Sequence, residues 1–179
     1  MDQSALILDA AKRCISVNGY AKVSLRNIAN EAGVALSQLH YYFGSKKDLY
    51  KAVIMEMINE YITEFSSGFL SSNKSLGSLV EHIQEIMRNK PELFKMLFDL
   101  TSLALWSKSF KKLLMHLMDE VTKLFMNCIP ESKVTKKYSK EVVAKVLTGA
   151  IFGIALQNSL NTENDLEMIE ALSLIPELL

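Results

Sequence analysis

The sequence predicts an all-α protein, and three observations support this fold class. Apolar residues recur three and four positions apart through most of the chain, whereas extended runs of alternating polar and apolar residues are absent. Seven glycines and three prolines in 179 residues are too few for a turn-rich sheet protein. Because 49% of the residues are hydrophobic and 22% are charged, the chain is able to bury a core in one compact domain or in two closely packed ones.

The first three helices are predicted from apolar spacing and capping residues. In "SALILDAAKRCISVNGY" the apolar residues share one helical face, and Gly19 follows where a left-handed terminating residue is expected. The second helix begins after Ser24, which is a good N-cap, and ends at Gly33. The third helix runs from Leu36 to about Phe43. Since only residues 32–34 separate the second helix from the third, the two cross at a steep angle, as in a helix-turn-helix unit.

The remaining chain predicts a long connecting helix and an α-helical bundle. The long helix is capped by Ser45 and runs to about Phe69, and the composition of residues 66–79 is typical of a linker. Further helices are expected over residues 76–89, 91–106, 108–128, 139–160 and 165–178. The helix that begins at Pro91 is apolar almost all round, which places it in the centre of a bundle. "IPESKVTKKYS" is the longest exposed connection. The predicted domains are residues 1–47 and residues 48–179.

The charge distribution is uneven although the formal net charge is zero. Residues 1–52 hold seven Lys or Arg and four Asp or Glu, and the rest of the chain holds thirteen and sixteen. A basic module joined to a mildly acidic body suggests that the first part meets a polyanion, although chance scatter of a few charges explains the difference equally well. No secretory leader is recognisable, and two well-separated cysteines fit reduced thiols, so we expect a cytoplasmic protein that does not bind a membrane.

The third helix carries the side chains that a DNA-recognition helix needs. Leu36, Ser37 and Gln38 form its leading edge, where glutamine pairs with adenine, serine donates or accepts, and leucine contacts a thymine methyl group. Other polar or basic residues are expected to hold the DNA backbone. They are Ser24, Arg26, His40, Tyr41, Tyr42, Lys46 and Lys47. The alternatives are a solvated face for the lysines, core aromatics for the tyrosines and an uncontacted surface position for His40.

Three consecutive segments of the sequence resemble the DNA-binding domain of the TetR family of bacterial transcriptional regulators. These are "ILDAAKRCISVNGY", "SLRNIANEAGV" and "LHYYFGSKKDLY", in that family's order and spacing. The resemblance implies a ligand-responsive regulator, most often a repressor that leaves its operator when a small effector binds. Two departures are the absence of a Ser or Thr cap at Ala35 and the apolar Leu36. The missing cap costs about 1 kcal/mol unless Ser37 or packing compensates.

The body contains aromatic and thioether side chains that suit an apolar or aromatic effector. The candidate ligand-binding residues, all expected to face the core, are Tyr61, Phe65, Met87, Phe94, Phe98, Trp106, Met115, Met118 and Phe152. His82, His116 and Gln157 are candidate polar anchors. A filled core explains each residue taken singly, and the family resemblance favours an effector site.

The last two helices predict a homodimer interface, because they offer more apolar surface than one bundle needs to bury. The candidate interface residues are Val143, Leu147, Ala150, Ile151, Ile154, Leu166, Ile169 and Leu172. Two-fold symmetry then implies an operator with two half-sites.

Other classes of protein were weighed against the regulator. Neither a nucleophile beside a base nor a phosphate-binding glycine loop is present, so no enzyme activity and no cofactor are expected. A metal-binding helical bundle would use His82 with Glu85 and His116 with Asp119, which have i, i+3 spacing, but no further carboxylate pair supports it. A helical protein-interaction module that has lost DNA binding is the remaining alternative.

Overall fold

The structure is a computed structural model that describes residues 2–70, 75–160 and 166–178, apart from the side chains of residues 61, 64–70, 166, 168 and 178. Within these ranges the chain forms ten α-helices and one 3₁₀ helix. The helices are α1 (Gln3–Lys22), α2 (Leu25–Ala32), α3 (Leu36–Phe43), α4 (Lys46–Leu70), α5 (Leu76–Asn89), α6 (Pro91–Trp106), α7 (Lys108–Cys128), α8 (Lys133–Lys137), α9 (Lys140–Leu160), α10 (Leu166–Glu170) and the 3₁₀ helix Ala171–Leu178. No strand occurs in the described ranges, and the all-α prediction is confirmed.

The predicted helices agree closely with the observed ones in the N-terminal part. Ser24 caps α2, and Gly33 ends it in the left-handed conformation with φ 67°. Helix α3 spans the predicted residues, and α4 begins directly after Ser45, whose hydroxyl accepts a hydrogen bond from the Asp48 backbone N–H at 3.1 Å. Gly19 has φ 75° and ψ 157° and interrupts α1, after which one further helical segment reaches Lys22.

Two predictions for the body need correction. The segment expected to be the longest exposed connection contains the short helix α8, which Ser132 caps through the Thr135 N–H. Residues expected to continue the last α-helix form the 3₁₀ helix from Ala171 onward. Composition alone does not locate such helix ends, because tertiary packing overrides weak propensity. The predicted end of α4 near Phe69 and the predicted span 76–89 of α5 agree with the observed ends, Leu70, Leu76 and Asn89.

The chain divides into two compact units. The first contains Met1–Tyr61 and Lys95–Leu113, and the second contains Ile62–Phe94 and Leu114–Leu179. The division therefore does not coincide with the predicted domain boundary after residue 47. The first unit combines the three N-terminal helices with part of α4, most of α6 and the beginning of α7.

The core of the first unit holds α1, α2 and α3 together. The buried side chains include Ile7, Ala10, Ala11, Ile15, Ile28, Ala29 and Leu39. The small alanines allow α1 and α2 to approach closely, and Leu39 is the buried residue of α3. With Leu39 fixed inside, the opposite side of this eight-residue helix faces solvent.

A buried aromatic cluster joins α1 and α4 to the segment 95–113. The rings of Tyr20, Tyr50 and Phe110 have centroid distances of 4.4 Å (Tyr20 to Tyr50), 5.8 Å (Tyr50 to Phe110) and 6.2 Å (Tyr20 to Phe110). The Tyr20 backbone N–H donates to the Asp99 carboxylate at 2.8 Å, and the Tyr50 hydroxyl donates to the Met96 carbonyl at 3.4 Å. These contacts make α6 and the start of α7 part of the same unit as the helix-turn-helix.

Helix α6 does not match the prediction of a helix at the centre of a bundle. Met96, Leu100 and Ala104 are buried, whereas Leu105 and Trp106 are exposed. Only one side of α6 is therefore covered in the single chain, although its sequence is apolar almost all round.

The second unit has its own apolar core. Helix α5 buries a continuous stripe that includes Leu79, Val80, Ile83 and Met87, and the C-terminal segment buries Ile169, Leu172 and Ile175. The buried amide of Gln84 links the two, because its Nε2 donates to the Ile169 carbonyl and to the Ser173 hydroxyl, each at 2.9 Å.

Candidate DNA-binding surface

The turn between α2 and α3 fixes the position of the candidate recognition helix. The Val34 N–H donates to the Ala29 carbonyl at 3.0 Å, and the Gly33 N–H donates to the Asn30 carbonyl at 3.2 Å. These bonds satisfy carbonyls at the end of α2 and require the left-handed backbone at Gly33, which glycine adopts without strain. The resulting helix-turn-helix is held by α1, which contacts both α2 and α3.

Gln38 compensates for the missing N-cap side chain at Ala35. The Ala35 backbone N–H donates to Gln38 Oε1 at 3.0 Å, so one half of a capping box is formed without a Ser or Thr. The compensating residue is thus Gln38, not Ser37. The amide group of Gln38 still has its Nε2 donors, which lie 3.5 Å from Gln3 Oε1 at the exposed end of the helix.

The solvent-facing side of α3 carries most of the candidate DNA contacts. Ser37, Gln38 and His40 are exposed, and Tyr41 has 84% of its surface exposed. Leu36 is half-buried at the edge of this face. Phe43, at the end of the helix, is also half-buried. Apart from the buried Leu39, the helix therefore presents its polar and aromatic side chains outward.

Three of these side chains are held by neighbouring groups. The Tyr42 hydroxyl donates to Gln3 Oε1 at 3.4 Å, and the Tyr41 and Tyr42 rings meet edge to face at 5.3 Å. The His40 Nδ1 lies 2.9 Å from the Gly44 carbonyl, so the ring donates there and helps to end α3. Gln3 was not predicted as a functional residue, because a lone glutamine at the start of a helix gives no sequence signal.

The residues at the start of α2 are also exposed. Ser24 accepts the Asn27 N–H at 3.2 Å, and Asn27 Oδ1 accepts the Ser24 N–H at 3.0 Å, which forms a reciprocal capping box. The Ser24 hydroxyl is therefore engaged in capping the beginning of α2. Arg26, two residues further, is exposed.

Lys46 and Lys47 occupy different environments although they are adjacent. Lys46 is half-buried, and this burial lowers its pKa. Its Nζ lies 4.3 Å from the Tyr20 ring centroid and donates to the Ala21 carbonyl at 3.4 Å. Lys47 is exposed, with its Nζ 5.6 Å from the Phe110 ring centroid. Lys46 is therefore fixed in position at the junction of α1 and α4, and Lys47 is more accessible.

The candidate ligand-binding residues are divided between the two units and differ in exposure. Phe98 and Trp106 belong to the first unit, and Met87, Phe94, Met115, Met118 and Phe152 belong to the second. Met87 is buried, and Phe94, Phe98, Met118 and Phe152 are half-buried. Trp106 and Met115 are 89% and 55% exposed, so the prediction that they face the core is wrong. The side chains of Tyr61 and Phe65 lie outside the described part of the chain.

The candidate polar anchors lie at or near the surface. His116 and Gln157 are exposed, and Gln157 Nε2 donates to the Gly153 carbonyl of its own helix. His82 Nδ1 lies 3.9 Å from Glu85 Oε2. No cluster of three or more His, Cys, Asp or Glu residues able to hold a metal ion occurs among the described residues.

The candidate dimer residues need the largest correction. Val143, Leu147, Ile151, Ile169 and Leu172 are buried within the single chain, so they have no surface left to bury against a second copy. Ala150 is exposed, Ile154 is half-buried, and the side chain of Leu166 lies outside the described part. The apolar spacing correctly predicted the helix α9. The residues chosen for the dimer interface, however, lie mostly on the face of α9 that packs inside the protomer.

Another face of α9 is exposed and apolar. It carries Val142, Val146, Gly149, Gly153, Leu156 and Leu160, which recur at intervals of four and three residues. The helix is long and apolar enough to cross a membrane by length and composition, with 28% of the relevant window buried. An intermolecular helix contact gives the same composition, because a 3.5-residue apolar repeat is the pattern of a helix that packs on a partner helix.

The chain was compared with known proteins. A family model described as bacterial regulatory proteins, tetR family, matches residues 7–53. The regulator BetI of Agrobacterium fabrum is 39% identical over 54 residues, which are 30% of this chain and 26% of that protein. EthR of Mycolicibacterium smegmatis is 29% identical over 93 residues, or 52% of this chain and 40% of that protein. BetI of Pectobacterium carotovorum is 26% identical over 163 residues, covering 87% of this chain and 81% of that protein.

Solved structures share the fold over nearly the whole chain. A TetR transcription regulator from Haloarcula marismortui has a TM-score of 0.80 at 18% identity and covers 99% of this chain and 95% of its own. The multidrug binding protein EbrR complexed with proflavin has a TM-score of 0.69 at 22% identity and covers 97% of this chain and 99% of its own. At these identities the likeness concerns the fold.

The capped α2, the left-handed turn and the outward-facing α3 form a helix-turn-helix unit. The matched residues 7–53 contain all of these features, and the fold of the entire chain agrees with the same group. Residues 7–53 match the tetR family of bacterial regulatory proteins, as the first three helices predicted.

Proposed function

We propose that the protein is a ligand-responsive repressor that binds a DNA operator as a homodimer and leaves it when a small hydrophobic or aromatic effector binds. The observation that carries the DNA-binding part is the orientation of α3. Leu39 anchors the helix inside, and Ser37, Gln38 and Tyr41 face solvent on a helix short enough to enter a major groove.

The contacts to DNA fall into two groups in this proposal. Leu36, Ser37 and Gln38 read base edges, because they form the leading turn of α3. The remaining candidates hold the backbone and set the register. They are Ser24, Arg26, His40, Tyr41, Tyr42, Lys46 and Lys47. Lys46 keeps N–H donors beyond the one that meets Ala21 and would offer them to a phosphate from a fixed position.

A Gln38→Glu variant separates DNA recognition from helix stability. Glutamate retains the oxygen that accepts the Ala35 N–H, so the melting temperature should equal or exceed that of the original protein. The new carboxylate loses the amide donor and repels the DNA, which should weaken operator binding by at least about 10-fold, on the order of 1–3 kcal/mol. A cognate duplex is first selected from a random-sequence library. The affinity of each protein for this duplex is then measured by titration with fluorescence anisotropy.

Two matched variants complete this experiment. Gln38→Ala removes both the cap acceptor and the base contact, so it should lower stability by about 1 kcal/mol as well as affinity. Asn127→Asp makes the same amide-to-carboxylate change at an exposed site on α7 and should leave affinity unchanged. If the unaltered protein shows no affinity for any duplex, the proposal of a DNA-binding regulator is refuted. The alternative of a protein-interaction module is then favoured. Unchanged binding by Gln38→Glu would remove α3 as the reading element.

The exposed face of α9 supports the homodimer. Val142, Val146, Leu156 and Leu160 form its apolar part, and the exposed Gly149 and Ala150 allow close approach of a second helix. Two such faces related by a two-fold axis form a self-complementary contact. The two α3 helices would then meet half-sites about 34–36 Å apart, or a multiple of that distance.

A Val146→Glu variant tests the interface at its centre. Val146 is 66% exposed in the single chain, so glutamate is tolerated by the protomer but would be desolvated in a dimer. Sedimentation should show a dimer for the original protein at micromolar concentration and a monomer for the variant. Val17→Glu, at a valine that is 82% exposed on α1, should remain dimeric. A Val146→Glu protein that sediments as a dimer would contradict the interface.

The second unit is the proposed location of the effector. Phe94, Met118 and Phe152 are half-buried there, so large adaptable side chains retain accessible surface. The fold is shared with EbrR, a multidrug binding protein complexed with proflavin. A planar aromatic cation such as proflavin is therefore the first probe. The proposed regulator acts in the cytoplasm, as TetR-family proteins do.

Bound proflavin should raise the melting temperature in a thermal-shift titration by about 2–4 °C for each kcal/mol that it adds to the free energy of unfolding. Met118→Ala should reduce this shift, whereas Met115→Ala, three residues earlier on α7 and 55% exposed, should retain it. Non-intercalating compounds that give a shift are then tested for release of the protein from its operator. The effector proposal would be refuted if no compound of a hydrophobic panel raised the melting temperature or released the protein from its operator.

A further inference from the structure

The positive charge of the first unit comes mainly from a segment outside the N-terminal helices. Residues 1–61 contain seven Lys or Arg and six Asp or Glu, which gives +1. Residues 95–113 contain four Lys and one Asp, which gives +3. The part of α6 and α7 that belongs to this unit is therefore more basic than the helix-turn-helix itself.

Three of the four lysines are concentrated at the beginning of α7. Lys108, Lys111 and Lys112 are exposed, while Phe110 and Leu113 between and after them are buried. No ion pair to a carboxylate is found for these lysines among the described residues, and residues 100–118 contain neither Asp nor Glu. Other exposed helical lysines do have such pairs, as Lys123 has with Glu120 at 2.6 Å and Lys145 has with Glu141 at 2.7 Å.

This placement is unfavourable for the isolated helix. Positive side chains in the first turns of a helix oppose the positive end of the helix dipole. Lys108 also has like charges at i+3 and i+4, which destabilise a helix by a few tenths of a kcal/mol each. A local arrangement that costs stability without a partner in the chain is typical of a functional site.

The buried aromatic cluster brings this helix end next to the proposed DNA-binding surface. The Phe110 ring lies 5.6 Å from Lys47 Nζ and 5.8 Å from the Tyr50 ring. Lys111 and Lys112 directly follow Phe110 in α7, and Lys108 lies two residues before it. The start of α7, which carries these lysines, therefore lies beside the start of α4 within one compact unit.

We propose that Lys108, Lys111 and Lys112 form a second contact with the phosphate backbone of the same duplex that α3 reads. This inference rests on the proposed DNA binding. The occupant is duplex DNA because the three lysines are exposed, residues 100–118 contain neither Asp nor Glu, and this helix end lies beside Lys47. The contact carries no base information and adds affinity that depends on salt.

The experiment compares two triple variants with identical spacing of lysines. Lys108, Lys111 and Lys112 are all replaced by glutamine in one protein. The control replaces Lys133, Lys136 and Lys137, which are exposed on α8 in the second unit at the same intervals and carry the same charge. Affinity for a random-sequence duplex of about 40 base pairs is measured by anisotropy over a range of KCl concentrations.

The α7 variant should lower the slope of log affinity against log salt by up to about 2.7 for each bound protomer, at about 0.9 for each lost phosphate contact. It should bind at least about 10-fold more weakly at 0.1 M salt, and an arginine triple should restore the slope. The α8 control should keep the original slope. Melting curves verify folding, and the α7 variant should be at least as stable because like charges have been removed.

Trp106 gives a readout that needs no substitution. It is the single tryptophan of the chain, is 89% exposed and lies two residues before Lys108. Saturating duplex should reduce quenching of its fluorescence by acrylamide, and the α7 variant should lose much of this protection.

Each outcome distinguishes the second contact from the proposed function. Equal slopes for the original protein and the α7 variant would overturn the inference while DNA binding stands. Equal losses in both triple variants would indicate a general charge effect and would also overturn it. If the unaltered protein does not bind the duplex at low salt, the proposed function fails, and the inference fails with it.

Discussion

The contact between Tyr20 and Asp99 is the constraint on which the first unit depends. Gly19 breaks the helical backbone at φ 75°, and the following Tyr20 N–H donates to the Asp99 carboxylate at 2.8 Å instead of to a helical carbonyl. This bond fixes the end of α1 against α6, although the two residues are far apart in the chain. The Tyr20 ring contacts both the Tyr50 ring, at 4.4 Å between centroids, and the ammonium group of Lys46, at 4.3 Å.

The cluster around this contact converts sequence-distant segments into one rigid surface. Tyr50 is fully buried. Burial raises the pKa of its hydroxyl, and the nearby Asp99 charge adds a smaller effect in the same direction. The hydroxyl therefore stays protonated and donates to the Met96 carbonyl. Phe110 completes the cluster from α7. Aromatic pairs in such arrangements contribute about 0.5–1.5 kcal/mol beyond the burial of their area. The candidate recognition helix and the lysines of α7 therefore belong to the same compact unit.

The sequence predicted the helix-turn-helix well because local signals determine it. Ser24, Gly33 and Ser45 have capping roles that depend on a few neighbouring residues, and the apolar spacing of α1 to α3 matches their buried faces. Predictions that required knowledge of packing were weaker. Apolar side chains such as Trp106 and Ile151 do not reveal whether they face the protomer core or solvent, and the contribution of α6 and α7 to the first unit depends on contacts such as Tyr20 to Asp99.

Hydrogen exchange of the free protein and of its complex with duplex DNA tests the central claim, that one unit presents α3 and the start of α7 to the same partner. The account predicts slower exchange on DNA binding in residues 36–47 and in residues 106–113 together, with the Tyr20 amide protected in both states by its bond to Asp99. Unchanged exchange in residues 36–47 at saturating DNA would contradict the account. Protection of residues 36–47 alone would retain the recognition helix but contradict the common surface.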